Sequence, residues 1–133
     1  MNSQFNPAMR TQSLYERLGS AKGISNLVDE ILTEHMRNPT IQTRYLPAQD
    51  RPEHLAEVKK HVFEFFAAGT GGPEQYTGKS MLDAHRGMNI NAAEYMAVLD
   101  DILVVLDRHA IDEQTRREVL EIAYSLKGEI MHV

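Results

Sequence analysis

The sequence contains no cysteine. It can therefore form no disulfide, no thiolate metal site and no cysteine nucleophile, so histidine and carboxylates remain as possible metal ligands. A chain without cysteine is also compatible with a reducing compartment, and we expect a cytoplasmic protein.

The sequence also lacks long apolar runs and an excess of positive charge. No apolar stretch approaches the roughly 20 residues that a membrane span needs, and the start "MNSQFNPAMRTQ" lacks the features of a signal peptide. The formal net charge of -5 argues against non-specific binding to nucleic-acid phosphates. We expect neither a membrane nor a nucleic-acid partner, and a flexible N-terminal arm over residues 1–12.

What remains is a chain of 133 residues, of which 42% are hydrophobic. This is enough to bury the core of one domain, which we place at residues 13–133. Apolar residues recur at helical spacing nearly throughout, and strands find little support. The pattern predicts an all-α fold.

Several helix starts carry side chains that can accept hydrogen bonds from free N–H groups. The last helix is expected to run unbroken from Asp112 with Ile130 on its inner face, and "YLPAQDRP" is expected to be a loop. We predict four substantial helices and two short ones. The capping signals are Ser13 with Glu16, Ser20, Asp50 with Glu53 around Pro52, Ser80 with Asp83, Asn91 with Glu94, and Asp112.

Common catalytic and metal-binding motifs are absent or incomplete. The segment "PEQYTGKS" ends like a phosphate-binding loop, but Pro73 stands where glycine is needed and the preceding segment is helical. Neither paired Glu-x-x-His nor His-Glu-x-x-His occurs, which disfavours a di-metal or zinc-peptidase site. No Gly-x-Ser-x-Gly elbow is present.

Two histidines lie beside apolar neighbours at helical spacing. His61 follows Val58 by three residues, and His85 follows Met81 by four. A buried imidazole needs a hydrogen-bond partner or a metal, so the pattern alone leaves either role open and favours an ordinary core or boundary histidine. Haem iron would provide a partner for both histidines, since it accepts a neutral imidazole on each face.

The chain resembles the group I truncated haemoglobins from Leu14 to Ile130. The resemblance rests on "LYERLG" at 14–19, "EFFAAGTGGPEQYTGKSM" at 64–81 and "AHRGMNI" at 84–90. It implies a truncated globin, in which a two-over-two helical sandwich surrounds haem. It also places His85 at the position of the proximal iron ligand.

The resemblance implies a haem pocket whose distal side departs from the common pattern. Leu32 stands where many members carry tyrosine, and Val58 and Val62 stand where glutamine is frequent. Tyr45 takes the place of a phenylalanine that packs on haem. The residues implied at the pocket are Leu32, Tyr45, Val58, His61, Val62, Phe65, Met81, His85, Met88, Ile90, Tyr95 and Val98.

His61 matches a position where some members carry a histidine that binds the iron when no external ligand is present. We expect it to be a displaceable sixth ligand, the alternative being a propionate partner or a hydrogen-bond donor at the pocket edge. We expect His35, His54 and His109 to be surface or boundary residues. Candidate propionate partners by charge are Lys59, Lys60, Lys79 and Arg86.

The resemblance implies haem b bound without a covalent link. Where some members attach haem through a histidine in the last helix, this chain has Gly128, and His132 lies nearby at the expected frayed end.

The implied ligands are O2, NO and CO. An apolar distal side and a sixth ligand favour redox or NO chemistry over bulk oxygen storage. The family includes conversion of NO to nitrate, which here would need an external electron-donating reductase. The alternatives are a five-coordinate oxygen-binding globin and a haem-free helical sensor or interaction module. We expect a monomer.

Overall fold

The computed structural model describes residues 11–133, which fold into eight α-helices and one 3-10 helix. The arm predicted over 1–12 lies outside the described residues, apart from the exposed Thr11 and Gln12. The helices are α1 (Leu14–Arg17), α2 (Ser20–Arg37), the 3-10 helix (Gln42–Tyr45), α3 (Leu46–Gln49), α4 (Pro52–Gly69), α5 (Met81–His85), α6 (Ala92–Arg108), α7 (Glu113–Ser125) and α8 (Lys127–Ile130).

Most predicted caps are confirmed. Full capping boxes join Ser13 to Glu16 and Asn91 to Glu94. Ser80 caps α5 and Asp112 caps α7. In each case the capping side chain accepts a hydrogen bond from the backbone N–H three residues later. These bonds satisfy N–H groups that the helices themselves leave without partners.

Two predicted helix starts are wrong in detail. The box between Asp50 and Glu53 does not form, because α4 begins at Pro52 with Arg51 in the capping position and no side-chain cap. Proline suits the first helical position because its ring sets the backbone angle and it has no N–H to satisfy. The helix α2 begins at Ser20, but the capping position is Gly19, whose φ of 97° also favours glycine.

Two predicted boundaries also need correction. The expected loop "YLPAQDRP" is largely helical, since α3 follows directly on the 3-10 helix. The last helix breaks at Leu126, whose N–H donates to the Ala123 carbonyl oxygen three residues back. This tighter turn ends α7 and directs α8 onto α5.

The core lies where α2 crosses α4 and α6, and α6 in turn packs on α7. The corner between α1 and α2 is close, because a Cβ on Gly23 would collide with the Leu18 carbonyl oxygen. The all-α prediction is confirmed, and no helix within 11–133 is long and apolar enough to cross a membrane. The main core consists of Leu18, Ile24, Leu27, Val28, Ile31, Leu32, Ile102, Val105, Leu106 and Val119.

Candidate functional site

A cavity of about 630 Å³ lies between α2, α4, α5, α6 and α7. Its volume is within the roughly 300–1,000 Å³ of typical small-molecule and cofactor sites. All twelve residues that the sequence places at the pocket border this one cavity. They are Leu32, Tyr45, Val58, His61, Val62, Phe65, Met81, His85, Met88, Ile90, Tyr95 and Val98.

His85 ends the short helix α5 and is half-buried at the cavity wall. Its Nδ1 lies 2.8 Å from the Met81 carbonyl oxygen. Because a carbonyl oxygen only accepts, Nδ1 carries a proton, and in the neutral ring Nε2 keeps a free lone pair. This is the arrangement in which protein histidines bind a metal, with the second nitrogen held by a hydrogen bond.

The segment after His85 is held by the C-terminal residues 131–133, which we call the C-terminal clamp. The N–H groups of Gly87 and Asn89 both donate to the Val133 carbonyl oxygen, at 3.1 and 3.0 Å. The N–H of His132 donates to the Ile90 carbonyl oxygen at 2.9 Å, beside a parallel bridge between Ile90 and Met131. The clamp thus fixes the backbone that follows the candidate iron ligand.

His61 borders the same cavity from α4 and is half-buried. Its ring packs against the Tyr76 ring, edge to face, with 6.2 Å between centroids. Tyr76 also packs edge to face on Phe65 at 5.3 Å, and its hydroxyl donates to the Lys79 carbonyl oxygen at 2.5 Å. His61 therefore lies in an aromatic cluster at the cavity edge.

Three residues of the cavity wall that the resemblance assigns to the distal side have no hydrogen-bonding side chain. Leu32 is buried in the core, whereas Val58 and Val62 are half-buried on α4. These side chains offer only carbon atoms to anything bound beside them.

The prediction that His35 is a surface or boundary residue is wrong. Its side chain is buried, with 4% of the residue exposed, and it borders the cavity. Nδ1 lies 2.7 Å from the Asp101 Oδ2 atom on α6. Burial lowers the pKa of His35, an effect that the neighbouring Asp101 carboxylate partly opposes. A signal was available, because His35 follows Ile31 by four residues and Leu32 by three.

The candidate propionate partners are spread over different environments. Lys79 borders the cavity, whereas Lys60 is exposed and does not. Lys59 pairs with Asp29 at 3.4 Å, and Arg86 pairs with Asp83 of the preceding helix α5 at 3.2 Å. Of these four cations, Lys79 alone is placed to meet an anionic group at the cavity.

Sequence reasoning missed an ion pair at the cavity edge. Arg44 in the 3-10 helix donates to both carboxylate oxygens of Glu94 on α6, at 2.5 and 2.9 Å. These hydrogen bonds hold the pKa of Glu94 at about 2. His54 also borders the cavity from the exposed start of α4, whereas His109 lies on the surface beside Glu30.

Comparisons with known proteins agree with this architecture. The model of the bacterial-like globin family matches residues 13–132. A group 1 truncated haemoglobin of Mycolicibacterium paratuberculosis is 26% identical over 118 residues, covering 89% of this chain and 83% of that protein. One from Tetrahymena thermophila is 26% identical over 121 residues, covering 86% of this chain and 91% of the relative.

Solved structures show the same fold. The Fe(III) form of truncated haemoglobin from Tetrahymena pyriformis superposes with a TM-score of 0.83 at 19% identity, covering 92% of this chain and all of that one. The 2/2 haemoglobin of a Synechococcus species, which carries covalently attached haem, superposes with a TM-score of 0.77 at 21% identity. That match covers 87% of this chain and 94% of the other.

Proposed function

The chain belongs to the bacterial-like globin family, whose cofactor is haem b, and we propose that His85 is the permanent axial ligand of the haem iron. We further propose that His61 is a second, displaceable axial ligand. Membership of this family implies haem-based binding of diatomic gases. Haem iron with an imidazole ligand binds O2, CO or NO, and the residues on its other side decide between them.

The donor set of the cavity fits haem better than it fits a bare metal ion. Within residues 11–133, no group of three or more histidines and carboxylates is placed to hold an ion. The cavity instead has His85 and His61 on separate helices among apolar side chains. A macrocycle supplies its own equatorial nitrogens, so one or two imidazoles are sufficient.

The bond from His85 to the Met81 carbonyl oxygen is the observation that carries the proximal assignment. It fixes the ring orientation and leaves Nε2 as the free ligand atom. Gly128 stands where a covalent attachment would need histidine, and this supports non-covalent haem. Mass spectrometry of the denatured protein should therefore find a chain without haem, whereas a chain of haem-increased mass would contradict this part.

An axial His61 would make every external ligand compete with an internal one. The apparent affinity then falls in proportion to the fraction of protein in which the site is open. Leu32, Val58 and Val62 add no polar group that compensates, so redox or NO chemistry is favoured over oxygen storage. The reaction we propose combines one NO, one O2 and one electron into nitrate, with the electron supplied by an external reductase.

A five-coordinate oxygen-binding globin is the second candidate. It is favoured by the packing of His61 on Tyr76, which would hold the imidazole at the cavity edge as a propionate partner. The family match favours both of these functions over the haem-free helical module.

Optical spectra of the haem-reconstituted, dithionite-reduced protein under argon separate the two candidates. Wild type, His61→Leu and His54→Leu are compared, since both histidines border the cavity from α4, two helical turns apart. We expect sharp, split visible bands in wild type and His54→Leu, and a broad five-coordinate band in His61→Leu. A broad band in all three proteins would establish the five-coordinate globin, and loss of the split bands in His54→Leu alone would reassign the sixth ligand.

A further inference from the structure

The short helix that carries His85 cannot hold its own position. The helix α5 has five residues, and a helix this short has little stability in water unless tertiary contacts support it. The hydrogen bond from His85 to the Met81 carbonyl oxygen fixes the ring relative to α5 alone, because both residues belong to that helix. The position of His85 in the cavity therefore depends on what holds α5.

Among the other helices, α5 packs mainly on α8. Met81 from the start of α5 and Met131 from the C-terminal clamp pack against the same second core, which is distinct from the main core. The buried residues of this second core are Ile90, Tyr95, Leu99 and Ile130. The break at Leu126, which directs α8 onto α5, thus provides support for the helix that carries His85.

The C-terminal clamp completes this support after the end of α5. It is joined to the loop after His85 by three backbone hydrogen bonds, two of which end on the Val133 carbonyl oxygen. Gly87, Asn89 and His132 have positive φ angles of 88°, 48° and 59°. Residues other than glycine adopt such angles at a free-energy cost, so Asn89 and His132 keep them only where the surrounding structure fixes the backbone.

The clamp lies outside the cavity, since none of residues 131–133 borders it. We propose that the clamp and α8 hold the His85 ring in one position and thereby set the strength of the bond from Nε2 to the haem iron. This inference rests on the proposed haem-binding function and deepens it, because the surroundings of an axial ligand tune the metal that it binds. His132 is a positioning residue, since it acts on His85 through the backbone.

The test is resonance Raman spectroscopy of the haem-reconstituted, dithionite-reduced full chain, in which the iron–histidine stretching band reports the strength of this bond. All proteins carry His61→Leu, so that His61 does not occupy the opposite face of the iron, and the protein with this change alone is the reference. His132→Pro removes the hydrogen bond to Ile90 and imposes an incompatible φ. We expect its band to broaden and to shift to lower frequency, and an unchanged band would overturn the proposal.

Two control variants separate positioning from a general loss of stability. His132→Gly keeps the N–H and accepts the positive φ, so its band should match the reference. Ala110→Pro makes the same kind of change in the turn after α6, outside the cavity wall, and should also leave the band in place. There, Ala110 has a φ of 57° and donates its N–H to the Asp107 carbonyl oxygen at 2.9 Å, just as His132 donates to Ile90 at 2.9 Å. An equal shift in Ala110→Pro, or a full shift in His132→Gly, would overturn the positioning role.

A second pair of variants tests the same proposal without proline, and it decides the question if His132→Pro does not fold. Met131 packs on the second core and Ile111 on the main core, and both are half-buried and outside the cavity wall. Met131→Ala should shift the band to lower frequency, whereas Ile111→Ala should not. The same band in both variants would contradict a specific role for the clamp.

Failure of the proposed function has a different signature from failure of this inference. A reference protein that binds no haem, or that binds haem without an iron–histidine band, would reject His85 as the axial ligand. A normal band that is insensitive to every clamp variant would reject the positioning role alone.

Discussion

The helices α2 and α4 are both 18 residues long and both carry an apolar face, but they bury that face very differently. On α2, six residues are buried, and five of them are aliphatic. On α4, Ala67 is the sole fully buried residue. The comparison shows that helical spacing identifies an apolar face without showing what that face contacts.

The difference follows from the neighbours of each helix. The inner face of α2 packs against α6 and α4, so its side chains fill the main core. The corresponding face of α4 includes Val58, His61, Val62 and Phe65, which border the cavity. The buried side chains of α2 therefore contribute mainly to folding, although Ile31, Leu32 and His35 also border the cavity, whereas the half-buried side chains of α4 are more available to a ligand.

Truncation of a core side chain on α2 should give the largest effect. Ile24 is fully buried, and we expect Ile24→Ala to lower the free energy of unfolding by about 2–5 kcal/mol through lost burial and a new cavity. Urea denaturation followed by far-UV circular dichroism measures this. A loss well below 1 kcal/mol would contradict the core role of α2.

Truncation of a cavity residue on α4 should act on haem as well as on the fold. Phe65 is half-buried and packs on Tyr76, so Phe65→Ala should cost about 2 kcal/mol of folding free energy, from the lost burial of half the ring and the lost aromatic pair. The Phe65→Ala protein should lose haem to a haem-scavenging protein about tenfold faster than wild type does, which corresponds to about 1.4 kcal/mol. If Ile24→Ala and Phe65→Ala changed unfolding equally, the contrast between the two helices would fail.

The one histidine in the buried face of α2 should make stability depend on pH. His35 faces Asp101, Asn38 and Tyr45 and lies near Glu34, and burial lowers its pKa in the folded protein. Unfolded chains then bind the proton more tightly, so this contribution is complete above pH about 6.5 and is lost as the pH falls below it.

Urea denaturation between pH 7.5 and 5 tests this dependence. In wild type the free energy of unfolding should decrease across that range, and in His35→Leu the decrease should be smaller. Paired carboxylates such as Glu94, whose pKa is about 2, lose their contribution at lower pH, from about 4.5 downward. Equal slopes in the two proteins would exclude His35 as the source.

A change in the C-terminal clamp should have the smallest effect on global stability, because it acts on one loop. His132 has a positive φ of 59° and donates its N–H to Ile90, so His132→Pro removes the bond and imposes an incompatible angle. We expect faster hydrogen exchange at the amides of Gly87 and Asn89. The matched variant His132→Gly keeps the N–H and accepts the angle, and it should exchange like wild type.

Local signals in the sequence were sufficient for much of the fold. Ser13 with Glu16 and Asn91 with Glu94 form the predicted capping boxes, because each depends on residues three positions apart. The predictions of a capping box at Asp50 and of an unbroken last helix were wrong. There, a proline at the first helical position and the contact of α8 with α5 outweigh the local pattern.

The His85 side of the candidate site was easier to predict from the sequence than the side formed by Tyr45 and His35. The short helix of His85 lies between Ser80 and Gly87, and its hydrogen bond to Met81 is local. The polar cluster at Tyr45 is not, since the partner of His35 lies 66 residues away on α6. No local spacing indicates such a pair.

By itself, the sequence determined the helical pattern and most of the caps, because these depend on short-range spacing, and the family resemblance indicated twelve of the residues that border the cavity. The tertiary structure decided which apolar faces are buried in the core and which border the cavity. It also decided that His35 is buried against Asp101 and that Val133 holds the loop after His85. These outcomes depend on contacts between residues far apart in the chain, and such contacts exist only once the helices have packed.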